Sequence, residues 1–140
     1  MNLREIGDLN LLTALIWGEA RGEPIEGKVG VAWVVRNRVM ATRWGGTYPD
    51  VILQKKQFSC FNIEDPNHHK VLGAITPTRN GNWQNQVYRE CRWVANGVLN
   101  DWIQDNVKGA NHYHAKGISP YWTEGHLSIE EKGDHLFYRI

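Results

Sequence analysis

Residues 9–24 read LNLLTALIWGEARGEP. Leu9, Leu12, Leu15 and Ile16 recur at helical spacing, which predicts a helix from about Leu9 to Ala20 with Asp8 as its N-cap. Gly22 and Pro24 then interrupt the pattern. Pro24 suits the first position of a second helix, where its missing N–H leaves no bond unmade. That helix is predicted from about Ile25 to Thr42. Its middle, Val29 to Val35, is nearly all apolar and predicts a buried, central element.

Outward from this pair, Trp44–Pro49 reads as a loop and Pro49–Leu53 as a short helix. Gln57–Phe61 reads as a strand or extended segment. The stretch Asn62–Asn82 is rich in Pro, Asn and Gly, with one short helix near His69–Ile75. A further helix is predicted from about Trp83 to Leu99, with Val87, Cys91, Val94 and Val98 on its inner face. Two short strands close the chain, Asn111–Ala115 and His135–Arg139, joined by a loop that holds Ser119–Trp122. The sum is mostly helical with a small antiparallel sheet, an α+β domain over residues 1–140.

The 140 residues carry 16 Lys and Arg against 15 Asp and Glu. This near balance argues against a nucleic-acid partner, which asks for a basic face. The start, Met1–Asp8, is too polar for a signal peptide, and no apolar run approaches a membrane span. A monomer made in the cytoplasm, without membrane insertion, is expected. Cys60 and Cys91 lie far apart with no CxxC spacing, so both are expected to be reduced, Cys91 on a buried helix face. Seven Trp is a high count for this length. Trp17, Trp33 and Trp93 are assigned mainly to the core, whereas indoles in a cleft can stack on sugar rings.

Gly22–Lys28 matches the start of a phosphate loop, but Val29 stands where the loop needs a hydroxyl, a helix precedes it, and Glu23 and Glu26 would repel phosphate. A nucleotide site is rejected on those grounds. Glu19 has different prospects. It falls in the last turn of an apolar helix beside Trp17, where the helix dipole and apolar cover both disfavour its charged form. A carboxylic acid that stays protonated near neutral pH can protonate a glycosidic oxygen. The plainer alternative is that Glu19 and Glu23 are surface carboxylates paired with Arg21 or Lys28.

The segments Gly18–Glu23, Val31–Arg38, Gln57–Asn62 with Asp65–Asn67, Gly109–Ala115, Pro120–Trp122 and Gly133–Tyr138 together resemble the SleB-type cell-wall hydrolase family, in order over about residues 9–139. The resemblance implies a lysozyme-like fold, cleavage of peptidoglycan glycan strands, and Glu19 as the catalytic acid and base. Members often act in spore germination and carry an export signal and a wall-binding part. The sequence shows neither, which looks more like a phage endolysin that reaches the wall through a holin pore.

Glycoside hydrolysis ordinarily uses two carboxylates. None follows Glu19 closely except Glu23 and Glu26, which sit where they can cap a helix; Asp101 and Asp105 are distant candidates. One acid suffices for a lytic transglycosylase, so that reaction is expected, with a muramidase as the alternative. Gln57, Phe58, Ser59, Tyr113, His114, Trp122 and Tyr138 are the candidate substrate-binding residues, although Phe58 and Tyr138 suit core packing equally. Trp122, in a loop, is expected to stack on a sugar with little effect on stability. His112 and His114 with His126 or His135 raise a zinc amidase as a second class, but no HExxH-like spacing supports it. No metal or cofactor is expected. A third class is a non-catalytic wall-binding module, which would bind without lysis.

Overall fold

The structure, a computed structural model, describes residues 2–54, 58 and 86–140. A 3-10 turn, Leu3–Glu5, leads into α1, Asp8–Ala20. The N-cap is Gly7 at φ 92°, not Asp8, which is the first helical residue and sets its carboxylate against the positive end of the helix dipole. Leu11 through Ile16 are all buried. The helix therefore has no single apolar stripe; it is surrounded by protein along its middle, and Leu9 is only half-buried.

Helix α2, Ile25–Ala41, follows after one turn. Pro24 is its N-cap in extended backbone (φ −62°, ψ 166°) rather than its first residue. Thr42 ends it in the left-handed region at φ 64°, its N–H turned back to the Val39 carbonyl. Gly27 through Val35 are buried, as the apolar run requires. Trp33 is buried in this helix, and its indole N–H donates to the Ile103 carbonyl at 3.1 Å. Thr47 caps the short α3, Tyr48–Ile52, by accepting from the Asp50 N–H.

Helix α4, Gln86–Leu99, lies against α1 and α2. Its inner face is Tyr88, Cys91, Val94, Ala95 and Val98. Val87 is turned out, 39% exposed, because Tyr88 takes the inward position at this end. Cys91 is a free, buried thiol whose pKa burial pushes up to about 12. Trp93 is not core: it is 51% exposed and meets the Trp102 ring edge-on at 5.0 Å. The predicted extended segment at Gln57–Phe61, apart from Phe58, and the predicted helix near His69–Ile75 fall outside the described residues.

Among the described residues three strands, not two, form the sheet: β1 His112–Ala115, β2 Glu130–Lys132 and β3 His135–Tyr138, all antiparallel in the order β1-β3-β2. His114 faces Leu136 and His112 faces Tyr138 across β1–β3. The missed strand reads Glu-Glu-Lys, with no apolar alternation to announce it. It pairs because Gly133, at φ 56°, lets the chain double back onto β3.

The sheet docks on α2 through one glycine and two polar side chains. A Cβ on Gly30 would stand 2.7 Å from Phe137 Cζ, so only glycine lets α2 approach this closely. Asn37 Nδ2 donates to the Ala110 carbonyl at 2.9 Å, and Arg38 Nε donates to the Asn111 carbonyl at 2.7 Å. Both carbonyls lie just ahead of β1, so α2 fixes where that strand begins. No described helix is long and apolar enough to cross a membrane.

Candidate active site

Glu19 occupies the last turn of α1, half-buried, and lines a cleft of about 410 Å³. The chain turns sharply just beyond it. Arg21 secures that turn: its guanidinium lies 4.4 Å over the Trp17 ring and donates to the Trp17 and Gly18 carbonyls. Those carbonyls belong to the last turn of the helix, where side-chain donors commonly supplement the backbone bonds.

The opposite wall is the sheet and the loop after β1. Tyr113, His114 and Ala115 come from β1, Ile118 and Pro120 from the loop, and Trp122 from the 3-10 turn Tyr121–Thr123. Phe58 completes the lining, and Arg38 reaches the cleft from α2. The structure thus brings together Glu19, Phe58, Tyr113, His114 and Trp122 of the predicted set. Gln57 and Ser59 fall outside the described residues.

Tyr138 is placed differently. It is buried and does not line the cleft. Its ring stacks on His114 at 5.3 Å, with its hydroxyl 2.8 Å from His114 Nε2. His114 Nδ1 lies 2.8 Å from the Ala115 carbonyl, which can only accept. Nδ1 therefore carries the proton, and Nε2 accepts from the Tyr138 hydroxyl. Tyr138 supports the cleft from behind by holding a histidine that lines it.

Trp122 is half-buried and clamped by aromatic rings: His112 at 5.0 Å, Tyr138 at 5.2 Å and His114 at 5.7 Å. It lines the cleft, yet it is also part of the packing of the sheet. These contacts favour a packing role for Trp122 beside its sugar-facing one, and so bear on the expectation that it has little effect on stability.

His112 lies on the same side as His114, as alternation along β1 requires, and is half-buried against Trp44 and Trp122. Burial, and then the neighbouring Arg38 and Arg43, push its pKa down to about 4. Arg38 is itself buried, 5.1 Å from the Trp44 ring centre and 5.4 Å from that of Phe58. Burial lowers its pKa to about 10, which leaves it a cation at neutral pH.

Two cleft residues lie outside the candidate substrate-binding set: Arg38, and His135, which the sequence offered only as a zinc ligand. A cation on a helix predicted to be buried was a usable signal for Arg38. His135 offered no local signal, because its role depends on a residue 112 positions away. His135 Nδ1 stands 2.6 Å from Glu23 Oε1, at a bent angle, and Glu23 Oε1 also accepts the Asp134 N–H at 2.9 Å. Glu23 is thus neither a helix cap nor Lys28's carboxylate partner. Lys28 instead pairs with Glu90 at 3.1 Å and bonds the Glu23 carbonyl.

The distant acids belong to the scaffold. Asp105 accepts the Val107 N–H at 2.7 Å and the Gly109 N–H at 2.9 Å, and takes a third contact from Asn37, which closes the turn before β1. Asp101 is exposed and pairs with Arg36 at 2.5 Å. Among the described residues, Glu19 is the one carboxylate lining the cleft. No group of three His, Cys, Asp or Glu side chains among them converges to hold a metal ion.

An acid at the end of a buried helix, facing a small antiparallel sheet across a cleft, defines a lysozyme-like α+β domain. The chain belongs to the cell wall hydrolase family, whose model matches residues 22–138. The match takes in Glu23 and the sheet wall and begins three residues after Glu19. A spore cortex-lytic enzyme of Bacillus subtilis is 25% identical over 130 residues, which are 93% of this chain and 37% of that protein. A spore cortex-lytic enzyme of Oceanobacillus iheyensis is 40% identical over 52 residues, 37% of this chain and 19% of its own length. The chain therefore spans well under half of these relatives. Among solved structures, the catalytic domain of the germination-specific lytic transglycosylase SleB from Bacillus anthracis superposes with a TM-score of 0.72 at 23% identity, covering 94% of this chain and 93% of that one. The catalytic domain of Bacillus cereus SleB gives 0.66 at 26% identity, covering 94% and 89%.

Proposed function

We propose that the chain, acting as a monomer, cleaves peptidoglycan glycan strands as a lytic transglycosylase with Glu19 as its single acid and base. The observation that carries this reading is the placement of Glu19 as the one described carboxylate in a cleft otherwise lined by aromatic and hydrogen-bonding groups. Rings such as Tyr113 and Trp122 suit the apolar faces of pyranoses, while His114 offers a polar edge. The Bacillus anthracis neighbour is described as a lytic transglycosylase, which agrees with this choice.

In the reaction, Glu19 gives its proton to the glycosidic oxygen as the bond from that oxygen to the anomeric carbon breaks. The resulting carboxylate then takes the proton of the muramoyl 6-hydroxyl as that oxygen bonds to the anomeric carbon. Glu19 ends protonated, the product carries a 1,6-anhydro ring, and no water is consumed.

Mass spectrometry of digested peptidoglycan tests the reaction. Anhydro-muramic ends support it; reducing muramic ends assign a muramidase instead, and free stem peptides an amidase. Wall binding with no lysis at all would leave only a binding module. The setting we propose, lysis of a host by a phage-encoded enzyme released through a holin pore, is tested by expression with and without a holin. Lysis in both cases, or in neither, speaks against it.

A further inference from the structure

Glu23 and His135 form a couple that the transglycosylase reaction as written does not use. Glu23 lies in the turn between α1 and α2, four residues after Glu19. His135 opens β3, and it lines the same cleft as Glu19. The two side chains meet at 2.6 Å and are largely covered, with 12% and 9% of their surfaces exposed. Two electronegative atoms so close need a proton between them. Glu23 Oε1 already accepts the Asp134 N–H, so it is the acceptor here too and Nδ1 carries the proton. The Asp134 N–H holds the same carboxylate oxygen at 2.9 Å, and Gly133 packs closely against Glu23 and Pro24, where an added Cβ would stand 3.0 Å from Pro24 Cδ. Tyr113 meets the imidazole edge-on at 5.1 Å and limits its rotation. With Nδ1 committed to Glu23, Nε2 is the ring atom left for the cleft.

We propose that Glu23 is a positioning residue that fixes the tautomer of His135, so that His135 Nε2 accepts a hydrogen bond from a hydroxyl or N-acetyl N–H of the bound glycan. This rests on the cleft being the glycan-cleaving site. Carboxylate-oriented imidazoles of this kind fix which nitrogen holds the proton and where the other points. The charged and titratable groups facing the ring are Glu23 from the α1–α2 turn, Asp134 from its own hairpin, and Tyr113 and His114 from β1, with Lys116 close to Glu23 and Asp134. Burial outweighs Glu23 and lowers the histidine's pKa, a direction that favours the neutral ring in which Nε2 accepts.

The test has two arms on the whole chain. Long-range nitrogen–proton NMR reads the His135 ring in the wild-type protein. A proton on Nδ1 alone at neutral pH is expected, and the Nε2 signal should move when glycan strands are added to the Glu19→Gln variant. A proton on Nε2, or on both nitrogens, overturns the proposal. In the second arm, Glu23→Gln and His135→Gln should each raise KM on soluble glycan strands about 3- to 10-fold, the scale of one lost hydrogen bond, with kcat changed far less. The double variant should be no worse than His135→Gln alone, because Glu23 acts through the ring. An unchanged KM in His135→Gln, or fully additive effects, overturns it. If the wild-type protein releases neither anhydro nor reducing ends, the proposed function itself falls. If it cleaves while the His135 variants bind normally, only this inference falls.

Discussion

The two walls of the cleft are built on different terms. On one side stand α1 and α2, whose middles, Leu11 to Ile16 and Gly27 to Val35, are buried without a break. The acid at the end of α1 is carried by a helix that is buried along its middle. On the other side β1 and β3 are four residues each, and their side chains are held by one another: His114 by Tyr138, Trp122 by both of these and by His112, and His135 by Glu23. The helical wall is anchored in the hydrophobic core, whereas the sheet wall depends on a polar and aromatic network. Substitutions on the helical side should therefore separate chemistry from stability more cleanly than those on the sheet side.

The largest effect expected is from Glu19→Gln. The amide keeps the shape of the side chain but cannot carry the catalytic proton, so lysis should fall by about 10²- to 10⁴-fold. The thermal unfolding transition should stay close to wild type, because Glu19 is only half-buried at the helix end. A folded variant that kept a tenth of the activity would remove Glu19 from its role and leave the comparison without its chemical side.

Trp122→Ala comes next and probes the other wall. Loss of a sugar-stacking indole should lower turnover by about 10- to 100-fold, near 1.4 kcal/mol per decade. The three rings around it also lose their common neighbour, so the melting temperature should fall along with activity. Activity lost with no change in melting would mean that the sheet wall is as independent of its site as the helical wall is.

The same division governs how much of the molecule is legible in sequence. The helices α1, α2 and α4 announce themselves because burial repeats locally, at helical spacing or in unbroken runs. Glu19 is legible because its setting is local too: an acid after an apolar helix and before Gly22 and Pro24. The sheet wall resists that reading. Glu130–Lys132 has no apolar alternation and pairs only because β3 is already in place. Tyr138 looks like a cleft residue until β1–β3 register sets it behind His114. Glu23 and His135 meet across 112 positions, and no window along the chain contains both. Arg38 has a local signal, a cation within a buried helix, but the run Val31–Val35 speaks only for packing and says nothing of the cleft.

The seam between the walls can be tested by packing. In Gly30→Ala the new Cβ would sit 2.7 Å from Phe137 Cζ, and either α2 or β3 must give way. Overpacking of this kind costs about 1–3 kcal/mol. Chemical denaturation should show that loss, with anhydro-product formation per folded molecule little changed. A neutral Gly30→Ala would mean that the sheet shifts freely on α2 and that the walls are less firmly joined than Asn37 and Arg38 suggest.

Smaller effects follow for the distant acids Asp105 and Asp101. Asp105→Asn keeps the shape but weakens acceptance from the Val107 and Gly109 N–H groups, a loss of about 1 kcal/mol per bond at most. Asp101→Asn removes an exposed ion pair with Arg36 and should shift stability by less than about 1 kcal/mol. Both variants should keep most of their lytic activity. If either matched Glu19→Gln while folded, and reducing ends appeared, a two-acid muramidase would replace the transglycosylase reading.

A pH dependence confined to the sheet wall is also expected. The folded protein holds His112 neutral down to about pH 4, against an ordinary value of 6.5, because burial and the Arg38 and Arg43 charges oppose its protonation. The unfolded chain takes up that proton as pH falls through 6.5. The contribution of His112 is therefore fully present above 6.5, declines as pH drops from 6.5 towards 4, and changes no further below that. His135 is shifted in the same direction, so the wild-type slope alone does not isolate either ring. Melting temperatures of wild type and His112→Gln, compared between pH 7 and 4.5, do so. The upper part of this window also lies above the titration of Asp50 and Glu130, whose pKa values are held down chiefly by bonds to Arg4 and Lys108. The wild-type curve should fall more steeply than that of the variant. Parallel curves would show that His112 is as freely protonated in the folded state as in the unfolded one, and that the packing of Trp44 and Trp122 around it does not exclude water.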